Sequence, residues 1–271
     1  MEKLKIHIIL LGGLKFSLNI RKIQKWNSRL FEIHSVHRLT ALPDTVSTDG
    51  WYYSDEQLKR IIGDTLTYKV VVAIINAPLE NDFYGRRIAD NIYVLSLYET
   101  GHIILKNDLG LEQFIIQNLY YVTAIYYKFK GQIPSSDKSL THQDIRGCLF
   151  DFNADKQDIA FSLGKVSICD TCKSEFDAAF IPDNFVDLLR REIKRIRKPT
   201  YYRLRDFIRR RPIISLLMAI LASILINVFA NYVFEAIKKN TTNERDKSSQ
   251  IPINQKYDKS RISAKDSLKQ E

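Results

Sequence analysis

Residues 142–176, HQDIRGCLFDFNADKQDIAFSLGKVSICDTCKSEF, hold all three cysteines of the 271-residue chain. Cys169 and Cys172 form a C-x-x-C knuckle, a spacing at which two thiolates close on one tetrahedral ion, and Cys148 returns to it across a short excursion. Zinc needs a fourth ligand. His142 is the nearest candidate, and its imidazole completes a Cys3His site of the closed, structural kind. Two other readings stay open here: a redox C-x-x-C, which requires no third cysteine, and three unligated core cysteines. An odd cysteine count, far below the density of small secreted domains, excludes a disulfide framework and points to a reducing compartment.

Upstream of this stretch the pattern is α+β on a mixed sheet. Residues 4–11 and 30–39 read as strands, the first buried on both faces and the second alternating. The apparent signal-peptide character of the N-terminus is broken by His7 and by Gly12-Gly13, whose spacing suits a tight turn rather than a phosphate loop. Ser54 and Gln57 make a capping box, followed by an apolar face of Leu58, Ile61, Ile62 and Leu66. YKVVVAIIN at 68–76 is a central strand, and a loop with Pro78, Asn81 and Gly85 leads to a further strand, NIYVLSLYE at 91–99. The run from Leu111 to Phe129 is a helix too apolar to lie on a surface.

At these residues the sequence resembles the archaemetzincins, zinc metallopeptidases whose motif reads HExxHxxGxxHC, four residues, C-x-M, about seventeen residues, then C-x-x-C. Cys148-Leu149-Phe150 looks like the C-x-M element with Phe150 in place of Met, and residues 151–168 separate it from Cys169-Asp170-Thr171-Cys172. His142 precedes Cys148 by the distance of the motif's last His, but Gln143 stands where the family has Cys. The order of strand 68–76, the stretch through Phe83-Tyr84-Gly85, strand 91–99 and a long helix is also similar. The resemblance implies a zincin-like fold over roughly residues 1–180 and a structural zinc. It does not carry the catalytic site across. A zincin holds its catalytic metal through two His one helical turn apart, whereas 111–129 has no His, its acid is Glu112, and its i, i+4 pair is Gln113 and Gln117. The implied protein is a pseudoenzyme.

From Pro212 to Phe234, PIISLLMAILASILINVFANYVF carries no charged side chain and reaches about 35 Å as a helix, enough to span a bilayer. The net charge of +10 gathers around it. Residues 190–211 hold eleven Lys or Arg against Glu192 and Asp206, while Lys238 and Lys239 are diluted by Glu235, Glu244 and Asp246. The positive-inside rule places residues 1–211 in the cytoplasm and the tail outside. The chain then divides into a cytoplasmic zincin-like domain at 1–189 with its zinc knuckle at 142–172, a basic juxtamembrane segment at 190–211, a single transmembrane helix at 212–234 and a disordered polar tail at 235–271. The basic segment, with Tyr201, Tyr202 and Phe207 interleaved, is expected to meet anionic lipid headgroups rather than nucleic acid, since the body carries little net charge. Ser215, Ala219, Ser223 and Asn227, continued by Asn231 and Glu235, recur every four residues, a stripe that predicts a homo-oligomer.

Other pairs carry less. His34 and His37 lie three apart on a strand, so they point to opposite faces and need a bulge to share an ion. Glu99 and His102 have the spacing of a carboxylate-bridged metal site but no second copy. Tyr120, Tyr121, Tyr126 and Tyr127 are expected to pack in the core. Three functional readings result. The first is a non-enzymatic, membrane-anchored interaction or sensing module for a protein partner. The second is a membrane-tethered zinc peptidase or other hydrolase, drawing on His7, His34, His37, His102, Asp82 or Glu99. The third is a membrane effector of the kind found in bacterial abortive-defence systems.

Overall fold

The run of β-branched residues in the middle of the body forms β3 (Val70–Ile75), buried on both faces. A strand covered on both sides has no use for alternation, which is why VVVAII reads as continuous apolar sequence. The computed structural model describes residues 2–43, 51–63, 69–135, 141–179, 181, 184–198 and 200–248. Within it β3 is the centre of a five-stranded mixed sheet, in the order β2 (Phe31–Leu39), β1 (Leu4–Leu11), β3, β5 (Ile92–Ser96), β4 (Gly85–Ala89). β1 pairs in parallel with both β2 and β3, and β3 pairs in parallel with β5. β4 closes the far edge antiparallel to β5.

Side chains alternate across the sheet and separate two apolar layers. Ile6, Ile8, Leu10, Val72, Ile74 and Leu95 face the larger core, into which the helix α4 (Leu111–Lys128) packs with every residue from Leu111 to Tyr120 buried except Glu112. Ile9, Leu11, Val71, Ala73, Ile75 and Val94 face a smaller core closed by Leu58 and Ile62 of α2 (Asp55–Ile62). The Ser54–Gln57 capping box is present at the start of α2, and Leu66 lies outside the described residues. The remaining short helices are α1 (Ile20–Gln24), α3 (Thr100–Lys106), α5 (Ile159–Gly164) and α6 (Asp170–Ala178).

The structure differs from the sequence expectation in three regions, the first of them the β4–β5 pair. The segment read as a loop at Gly85 is strand β4, and β5 ends at Ser96 instead of reaching Glu99. GRRIA has no apolar alternation. What holds it is pairing with β5 and the Arg86 guanidinium, which donates to both carboxylate oxygens of Asp55 at 2.6 and 2.5 Å. Gly85 is required there, because a Cβ would lie 2.0 Å from the Tyr93 hydroxyl, which donates to Asn118 Oδ1 at 2.8 Å.

The second difference is the end of the body, expected at residue 189. The first compact unit runs from Met1 to Arg205. Helix α7 (Phe185–Ile193) crosses the expected boundary, with Leu189, Ile193 and Ile196 buried at helical spacing. Glu192, one acid in a basic run, is 3% exposed and accepts from Ser28 Oγ at 2.6 Å, Arg29 N–H at 2.7 Å and Tyr120 Oη at 2.9 Å. Residues 190–196 are therefore part of the fold. They are not a free juxtamembrane segment.

The third difference lies in the second unit, Asp206–Glu271. After α8 (Thr200–Arg210), helix α9 runs from Pro212 past Phe234 to Ser248, so 235–248 is helical where a disordered tail was expected. Residues 249–271 lie outside the described residues. Pro212–Glu235 of α9 is, among the described residues, the one span long and apolar enough to cross a membrane, and none of it is buried.

Candidate metal centre

Local turns bring the three cysteines together. Gly147, at φ +72°, accepts the Ser167 N–H at 2.8 Å through its carbonyl, and this bridge sets Cys148 beside the chain entering α6. A side chain at Gly147 would also meet the Lys165 carbonyl at 3.0 Å. Cys169 is the N-cap of α6, and its Sγ accepts the Cys172 N–H at 3.5 Å, while Cys148 Sγ accepts the Cys169 N–H at 3.4 Å. The Cys169 N–H is one of the hydrogen bonds that favour thiolate over thiol at Cys148. His142 joins from a second short bridge, its N–H donating to Phe150 O at 3.1 Å.

The four ligand atoms of His142, Cys148, Cys169 and Cys172 all lie within 4.8 Å of one another. Cys148 Sγ and Cys172 Sγ are 3.9 Å apart, and Cys169 Sγ is 3.5 Å from His142 Nε2. Tetrahedral zinc with Zn–S of about 2.3 Å and Zn–N of about 2.0 Å requires roughly 3.8 Å between sulfurs and 3.5 Å between sulfur and nitrogen. The observed spacings match both, so the set has the composition and size of a structural zinc site. Cys148 and Cys172 are buried, and Cys169 and His142 half-buried.

The surroundings fix the ligands. His142 turns Nε2 toward the sulfurs while Nδ1 lies 2.9 Å from the Asp144 carbonyl oxygen and 3.4 Å from Asp151 Oδ1, the outer anchoring that sets tautomer and ring orientation in metal sites. Buried Asp151 accepts at Oδ2 from the N–H groups of Cys148 (2.9 Å) and Arg146 (3.1 Å) and from Ser162 Oγ (2.9 Å). Arg146 reaches Cys169 Sγ at 3.9 Å, placing a positive charge beside that sulfur. Burial lowers the His142 pKa, but hydrogen bonding to Cys148 and to the Asp144 carbonyl, with the sulfur charges nearby, more than offsets this and leaves it raised. The Cys148 thiol is pushed down, chiefly by the hydrogen bond from Cys172, and Cys172 is pushed up by the same contact. Two close sulfurs without a cation share one negative charge; a divalent ion lets both ionise. Asp151 was not singled out from sequence, although an Asp three residues after a ligand cysteine, folding back to its N–H, is a local signal.

The other sequence candidates are distributed differently. A bulge between Ile6 and His7 puts Ser35 opposite His7, so the geometry once needed for sharing an ion is present around His34. What fills it is a hydroxyl: Ser35 Oγ lies 2.7 Å from His7 Nδ1 and 2.9 Å from His37 Nε2, and the His34 ring stands edge-on to His7. Glu99 and Asp82 both bind Lys156 Nζ, and His102 packs against Phe16. Gln113 is used in capping, its Oε1 accepting the Gly110 N–H at 2.7 Å. Tyr120 is fully buried, while Tyr121, Tyr126 and Tyr127, expected in the core with it, are half-buried against the core's edge. Along α9, Ala219, Ser223 and Asn227 are exposed and Ser215 half-buried; Ser215 and Ser223 each donate to the carbonyl four residues back.

No family model matches the sequence, and no curated protein matches it. Among solved structures the chain is similar to archaemetzincin from Methanopyrus kandleri, at 15% identity over 65% of this chain and 95% of that one, with a TM-score of 0.42. It is also similar to archaemetzincin from Archaeoglobus fulgidus, crystallised with malonate, at 16% identity over 64% of this chain and 99% of that one, with a TM-score of 0.38.

Proposed function

We propose that this chain is a single-pass membrane protein whose body is a non-hydrolytic, zinc-stapled interaction or sensing module. The observation that carries this reading is the Cys3His set itself: four protein ligands fill a tetrahedral ion and leave no position for water or substrate. The absence of His from α4 agrees with it. Zinc here joins the 142–152 turn to α6, so its binding free energy is folding free energy.

The same reading places the body in the cytoplasm and α9 in the bilayer, by the excess of basic residues before Pro212. Attraction to anionic headgroups falls chiefly to Arg197, Lys198, Arg203 and Arg209 to Arg211, each worth about 1 kcal/mol near such a surface, since Arg205 is paired with Asp108. The exposed Tyr201, Leu204 and Phe207 on α8 suit that interface. Self-association runs along Ser215, Ala219, Ser223 and Asn227, and an assembled helix that responds to the body makes an effector role consistent with the architecture.

Metal analysis and peptidase assay of the purified full chain in detergent test the core of this. About one zinc per chain and no cleavage of broad peptide mixtures are expected. Metal-dependent cleavage that is lost on substitution of His34, His37 or His102 would overturn it.

A further inference from the structure

Beside the metal cluster lies a cavity of about 210 Å³, bounded by β4, β5, α4, α5 and the 149–153 turn. Its walls combine aromatic rings, Tyr84, Tyr93, Phe114, Tyr121 and Phe152 among them, with polar and charged groups that include Arg86, Arg87, Asp151 and Asn153. Gln117 of α4 also lines it, is 8% exposed, and has an amide oxygen with no hydrogen-bond partner. Its neighbour Asn118 is the opposite case, accepting from Tyr93 Oη and donating to the Phe114 carbonyl. A buried amide left unpaired costs roughly 1–3 kcal/mol, so a group in the cavity that pairs with Gln117 would be held by that gain.

We infer that this cavity is a binding site for a flat aromatic ring bearing an adjacent hydrogen-bond donor and acceptor, the chemistry shared by nucleobases and aromatic carboxamides. A glutamine amide pairs through two hydrogen bonds with such an edge, as it does with adenine. Aromatic side chains supply the stacking faces that every such ring can use. The volume, below the roughly 300–1,000 Å³ of sites for larger ligands, admits one ring system. The inference goes beyond the zinc-stapled module and does not depend on it, because zinc content and membrane insertion are measured separately from ligand heat.

The full chain in detergent is titrated calorimetrically with adenine, cytosine and nicotinamide, with toluene as a ring that lacks the polar edge. At least one of the three should bind saturably at one per chain and more tightly than toluene. Gln117→Leu should weaken it about tenfold or more, with zinc content and melting temperature held or raised, since an unpaired amide is exchanged for an apolar group. Gln117→Glu keeps the size and loses the N–H donors, so it should weaken binding too. The proposal is overturned if none of the three binds at millimolar concentration, if toluene binds as tightly, or if binding is unchanged in both variants.

Discussion

Asp151 is the residue on which the metal centre's geometry turns, although it is not itself a ligand. Its Oδ2 gathers three donors, and one of them is the N–H of Cys148. Asp151→Asn should therefore lower zinc affinity by roughly 10–100-fold, the usual range for a second-layer change, read by competition with a chromophoric chelator. Cys169→Ser removes a ligand outright and should cost both the zinc and at least about 3 kcal/mol of stability. Glu192 presents a different case. Glu192→Ala leaves Ser28, Arg29 and Tyr120 donors without an acceptor in a buried place, and denaturant titration should show a loss of about 3 kcal/mol; Glu192→Gln, which keeps one oxygen, should lose less. The ligand cysteines were legible because few residue types can bind zinc and their spacing is local. Glu192 was not, because RREIKR reads as a solvated charge run and its partners lie about 70 and 160 residues away in the chain.

At the scale of elements, β3 and α4 were legible for one reason: β3 is buried on both faces and α4 around most of its length, and burial writes itself as a largely apolar sequence. β4 was hidden because its stability comes from a partner strand and an Arg86–Asp55 pair, neither of which leaves a periodic trace in GRRIA. Gly85→Ala tests this packing. The added methyl meets Tyr93, so the variant should lose about 1–3 kcal/mol, and Gly85→Ala with Tyr93→Phe should lose less than the sum of the two single changes, since the closest atom is then gone. In α9, Ser223 already satisfies its hydroxyl within the helix, so the stripe offers close approach more than unmet polarity. Ser223→Ile with Asn227→Leu should abolish cross-linking between copies while leaving insertion intact, both changes being more apolar; persistent cross-linking would reduce α9 to an anchor.

For the molecule as a whole, the metal and the proton compete. Zinc binding needs neutral His142 and ionised cysteines, so the stability that zinc adds should shrink as pH falls from about 8 to 5, and a chelator should lower the melting temperature most at the alkaline end of that range. The α9 helix has a different consequence. Its 37 residues reach about 55 Å, while a bilayer's hydrocarbon core is about 30 Å thick. In the membrane placement proposed above, with Pro212 at one face, Ser248 would stand about 25 Å clear of the other, like the tip of a mast. An epitope placed there would be open to antibody while one at Glu235 stayed shaded by headgroups, and the difference in labelling would measure how far the rod stands above the deck.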